Sequence, residues 1–116
     1  MDIVFFRDYC LKKAGVTEDT PFGPDTLVFK VGGKLFALID IEQFKSVNLK
    51  CNPERAVELR EQFTGIIPGY HMNKKHWNTV SFNGSVPDPL ILELVDHSYD
   101  LVFQSLPKRL QNEIKG

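Results

Sequence analysis

Residues 26–41 read TLVFKVGGKLFALIDI, and a β-hairpin is written on their face. In an extended chain Leu27, Phe29 and Val31 share one side, while Thr26, Val28 and Lys30 share the other. Gly32-Gly33 stands between the two runs, where the favoured two-residue hairpin turn needs positive φ at both positions. Lys34–Ile41 then continues as a mostly apolar strand, the pattern of a central place in a sheet. Ser46–Cys51 alternates as cleanly, with Val47, Leu49 and Cys51 opposed to Ser46, Asn48 and Lys50. Together they predict an antiparallel meander of three strands.

The flanks are helical. Asn52-Pro53 joins a good N-cap to a proline at the first helical position, and Ala56, Leu59 and Phe63 line the buried side of the helix they open. Gly65 lies just past its end. Two more strands are predicted, Ile67–Asn73 and Trp77–Asn83, joined by a turn carrying Lys74, Lys75 and His76. Asp88-Pro89 repeats the cap-plus-proline start, and Ile91, Leu94, Val95, Ser98 and Val102 form the inward stripe of the longest helix. Pro107 breaks it and leaves a short basic C-terminal helix. At the other end, Asp2 caps a helix in which Ile3, Phe6, Cys10, Leu11 and Ala14 recur at helical spacing, and Gly15 closes it. Thr17 to Asp25, with two prolines and a glycine, reads as a loop. The order α-β-β-β-α-β-β-α implies an α+β fold. Its antiparallel sheet has about five strands, with helices packed on one face.

The chain has 116 residues, the size of one domain, so residues 1–116 are expected to share one core. Hydrophobic residues make up 42% and charged residues 25%, a globular balance, and the nine Phe side chains supply large apolar surfaces for the core. A net charge of -1 counts against strong non-specific DNA binding, which depends on neutralising phosphates, yet leaves room for a local basic patch. Cys10 and Cys51 lack a CxxC spacing and read as buried reduced thiols. The N-terminal stretch has charges inside its apolar run, unlike a signal peptide, and no apolar run approaches the roughly 20 residues of a membrane span. A cytoplasmic protein with no membrane association is expected.

The densest chemistry lies in Gly69-Tyr70-His71-Met72-Asn73-Lys74-Lys75-His76-Trp77-Asn78-Thr79. Two lysines, two histidines, two aromatics and two asparagines gather around one turn. With a strand starting at Trp77, Val80 and Phe82 face the core, whereas Trp77, Thr79 and Ser81 lie opposite. Ammonium groups attract phosphates or carboxylates, and an indole stacks on a base or a flat ligand. Lys50 and Lys30 extend the basic surface across the sheet. Against this stands a plainer reading, in which hairpin lysines keep a sheet edge soluble and the C-terminal helix covers Trp77.

Other chemistries find little support. His71 and His76 are separated by a turn and His97 is on another helix, so no zinc spacing is complete and no metal or other cofactor is expected. There is no Gly-x-Ser-x-Gly elbow, no phosphate loop ahead of a helix and no His-Glu-x-x-His helix, so no enzyme is expected. An undetected enzyme would need a buried, pKa-shifted group near Trp77, with His71 or His76 the candidates.

Five segments also carry a resemblance. Pro21-Phe22-Gly23, Val31-Gly32-Gly33-Lys34-Leu35-Phe36-Ala37, Leu49-Lys50-Cys51-Asn52-Pro53-Glu54, Pro68 to Asn78, and Ser98-Tyr99-Asp100-Leu101-Val102 resemble, in order, the motifs of the MmcQ/YjbR-like family. The Met-Asn-Lys-x-His-Trp run is the most specific of them. The resemblance implies a small bacterial protein with a CyaY-like (frataxin-like) fold and a DNA-binding role. It also implies that Lys50, His71, Asn73, Lys74, His76, Trp77 and Asn78 form a recurring polar surface, with lysines on phosphates and Trp77 stacking or entering a groove. Lys75 joins them by its place in the turn. Double-stranded DNA is thus one expected partner, and a protein or small ligand at the same surface is the alternative. The frataxin-like fold raises iron binding, but the first helix carries only Asp2 and Asp8 against Arg7, Lys12 and Lys13, too few oxygen ligands for a hard cation.

Overall fold

The computed structural model describes residues 1–69 and 72–116. Along the chain come α1 (Ile3–Leu11), β1 (Val16–Asp19), β2 (Thr26–Val31), β3 (Lys34–Asp40) and β4 (Ser46–Lys50). Then follow α2 (Pro53–Gln62), β5 (Ile66–Pro68), β6 (Trp77–Ser81), α3 (Asp88–Gln104) and α4 (Lys108–Lys115). The strands form one six-stranded antiparallel sheet in the order β1-β2-β3-β4-β6-β5.

The glycine hairpin forms as its sequence requires. Gly32 and Gly33 have φ of 58° and 81°, and Val31 pairs with Lys34. Farther along, the register slips between Phe29 and Lys30, which makes Phe36 an extra residue in β3. A bulge leaves backbone groups without a ladder partner. Here the Ser98 hydroxyl of α3 donates to the Phe36 carbonyl (2.6 Å) and accepts from the Lys50 amide (2.9 Å). The polar member of the α3 stripe thus completes the hydrogen bonding of two strands.

One side of the sheet is the core. Leu27, Phe29, Val31, Ile39, Val47, Leu49 and Val80 are buried there with Ile91, Leu94, Val95 and Val102 of α3. Phe6 of α1 meets Phe29, Phe44 and Phe82 edge-on at 5.7–6.0 Å between centroids, the offset geometry aromatic quadrupoles favour. Tyr9 ties α1 to α3 by donating to Asp96 (2.8 Å), and Lys13 pairs with the same carboxylate. Burial, followed by that hydrogen bond, pushes the Tyr9 hydroxyl up to about 12.

Three expectations need correction. Residues 17–19, expected in a loop, lie in a strand, because β1 pairs with β2 from Val16↔Val31 to Asp19↔Val28. That pairing adds a sixth strand, which four residues ahead of two prolines do not announce. β5 ends at Pro68, where a strand through Asn73 had been expected. Asp88 is the first residue inside α3 and not its cap; Pro87 holds the cap position, and the Asp88 carboxylate pairs with the N-terminal ammonium of Met1 (3.4 Å).

Candidate functional site

The turn between β5 and β6 is held from several sides. Asn73 Oδ1 accepts from the Lys75 amide (2.9 Å) and the His76 amide (3.3 Å), closing an Asx turn. The Asn73 carbonyl accepts from the Trp77 amide (3.0 Å). Arg60 of α2 reaches over from the helix side. Its Nε donates to Asn78 Oδ1 (2.7 Å), and its Nη2 donates to the carbonyls of Lys74 and Trp77. Gly69 pairs with Trp77, and a Cβ at 69 would lie 2.6 Å from the Trp77 Cβ, so only glycine fits this close approach.

Three successive amides fasten the end of β4 to its surroundings. Lys50 N–H goes to Ser98 Oγ, Cys51 N–H to the His76 carbonyl (2.7 Å) and Asn52 N–H to His97 Nε2 (3.2 Å). The turn is therefore attached to α3 through the first residues ahead of α2. Burial, helped by Arg55, lowers the pKa of His97. This suits a ring that serves as an acceptor beside a helix N-terminus.

The expected site residues divide between two sides of the sheet. Lys50 is paired with Trp77, and both are half-buried on the side away from the helices, where the strand alternation had put them. The apolar side chains of α4 pack elsewhere: Leu110 lies near Gly32 and Ile114 near Gly15. Asn78 sits on the opposite, helix-facing side, only 2% exposed, and its amide donates to the Ala56 carbonyl (3.4 Å). Asn73, Lys74 and Lys75 are exposed on the turn and His76 is half-buried. Lys74 and Lys75 border a shallow depression with Glu54, Glu58 and Glu61 of α2, so cations and anions alternate there. His71 lies outside the described residues. Lys30 shares the open side and pairs with Asp19 (3.8 Å).

The same open side holds a groove of about 540 Å³. Thr26, Leu38, Ser46 and Asn48 form its strand floor, and Phe22 and Met72 stand beside it. Asp40, Gln43 and Lys45 rim one end. Asp40 Oδ1 accepts from the amides of Glu42 (2.9 Å) and Gln43 (3.2 Å), which shapes this rim turn. Thr79 Oγ1 donates to Asn48 Oδ1 (2.6 Å), a buried polar pair across β4 and β6 one step along from Lys50 and Trp77. Phe22 is 70% exposed, the most exposed large apolar side chain among the described residues. Among them, too, no three His, Cys, Asp or Glu side chains converge on a point.

Sequence reasoning missed Arg60 and the groove. Arg60 had a signal, because it falls four residues after Ala56 on the buried stripe of α2, where a cation needs a partner. Leu38 gave a weaker one, as an apolar residue on the side of the sheet that the helices leave uncovered.

The YjbR family model matches residues 11–101. The chain is 38% identical over 109 residues to the protein YjbR of Escherichia coli (strain K12), covering 93% of this chain and 92% of that protein. It is also 38% identical over 96 residues to YbdF of Escherichia coli O157:H7, covering 82% and 79%. The crystal structure of Deinococcus radiodurans DR2400, with its DUF419 domain, superposes with a TM-score of 0.92 at 41% identity and covers 97% of this chain and 87% of that one. With the model match and these similarities, the chain belongs to the YjbR family.

Proposed function

We propose that this protein is a binding module without catalysis, and that the groove on the open side of the sheet receives a small ligand. The observation that carries the reading is the groove itself. Its size lies within the roughly 300–1,000 Å³ range of small-molecule sites, and it combines apolar surface with a few polar groups. Leu38, Phe22 and Met72 offer apolar contact, while the Asn48 amide and the Thr26 and Ser46 hydroxyls offer direction.

A second reading, contact with double-stranded DNA in a CyaY-like fold, draws support from exposed Lys74 and Lys75 on a firmly held turn. The interleaved glutamates of α2 argue against it, since they reduce the local attraction for phosphate. Two separate buried thiols support a reducing, cytoplasmic setting.

The test is a fragment screen on the full chain followed by amide chemical shifts. Hits should move Leu38, Asn48 and Met72. If hits leave these residues still, while duplex DNA moves Lys74 and Lys75 with a log-log salt slope of about -0.9 per phosphate, the ligand reading fails and the DNA reading stands. Lys74→Glu with Lys75→Glu should then weaken DNA binding and leave fragment binding unchanged.

A further inference from the structure

Resting on the ligand reading above, we infer that the groove takes a zwitterionic, apolar molecule of the size of a dipeptide, a free carboxylate going to Lys45 and a free ammonium to Asp40. These two side chains are the only charged ones among the described residues of the groove lining, and they carry opposite signs. Neither appears in an ion pair among the described residues. Asp40 spends Oδ1 on two backbone amides of its own turn, which holds the carboxylate in place and leaves Oδ2 for a cation. Lys45 is exposed at the same rim, and its own carbonyl is fixed by the Phe82 amide (2.9 Å).

The remaining lining suits the body of such a ligand. Phe22 loses exposed apolar surface when an apolar side chain lies against it, and burial of such surface is favourable. The Asn48 Nδ2 donors are not engaged by any described residue, since its Oδ1 is the atom that meets Thr79. A ligand carbonyl answers that donor. A polyanion does not fit here, because Asp40 opposes it and a single ammonium is too little to hold it.

Three matched probes separate the charges: leucyl-phenylalanine, its N-acetyl form and its C-terminal amide, each titrated into the full chain by amide chemical shifts. The free dipeptide should bind at the groove, and each blocked form should bind roughly twofold to fivefold more weakly, the range for solvent-exposed charge pairs. Asp40→Asn keeps the acceptor for the Glu42 and Gln43 amides and removes the charge, so it should weaken the free dipeptide and the amide but spare the N-acetyl form. Lys45→Gln should weaken the free dipeptide and the N-acetyl form but spare the amide. Equal binding of all three probes, or no shift at Leu38, Asn48 and Met72 with any of them, overturns this inference. The groove reading survives both results if fragments still bind there, and falls only with the screen.

Discussion

Ser98 shows how much one hydroxyl can do inside this protein. It is fully buried, donates to the bulge carbonyl of Phe36 and accepts from the Lys50 amide. Ser98→Ala leaves both backbone groups short of a partner away from water, which should cost about 2–3 kcal/mol in urea unfolding. Its neighbour His97 makes stability depend on pH. Its folded pKa lies below the ordinary value because burial disfavours the imidazolium, with Arg55 adding repulsion and Asp100 and Glu93 opposing it. The unfolded chain therefore takes up the proton first as pH falls. The contribution is complete above about pH 6.5 and is lost progressively as pH drops from there through the folded value. The urea midpoint of the native protein should fall more between pH 7.5 and 5 than that of His97→Gln, which no longer titrates. Equal falls would mean that this ring is not a source of the pH dependence.

Among the elements, the β2–β3 hairpin separates two costs that glycine usually hides together. Gly32 and Gly33 both have positive φ, but a Cβ at 32 would lie 2.6 Å from Leu106 Cδ1, whereas a Cβ at 33 meets nothing within 4 Å. Gly33→Ala should cost about 1 kcal/mol, the conformational penalty alone. Gly32→Ala should cost clearly more, because Leu106 and Leu110 must also shift. Thermal unfolding of the two variants checks the order, and a larger loss for Gly33→Ala would contradict the packing described between this turn and the segment entering α4. The bulge that follows was not legible in the alternation of residues 34–41. A run that is apolar on both sides accepts either register, and in the folded chain the extra residue, Phe36, packs ring to ring on Tyr99 at 5.5 Å.

Across the whole molecule, both thiols measure how completely the core closes. Cys10 is fully buried and Cys51 is 4% exposed, and burial pushes the Cys10 thiol up to about 12 and the Cys51 thiol upward. Only thiolates react, so alkylation by iodoacetamide at pH 8 should be far slower in the folded protein than in urea, with both cysteines modified when the chain opens. Fast labelling of Cys10 alone would reveal local opening of α1. The tie of this helix to the rest through Tyr9, Lys13 and Asp96 argues against that.

Alternation in β2, β4 and β6, the glycine pair and the Asn52-Pro53 start were readable because each depends on neighbours a few residues away. They were enough for the fold class and for the side of the sheet that carries Trp77 and Lys50. Only the tertiary structure could seat β6 between β4 and β5, turn Asn78 toward Arg60 and bring Phe22 and Met72 to the same groove. Those outcomes join residues tens of positions apart, and a periodic pattern records which way a side chain points but not what arrives to meet it.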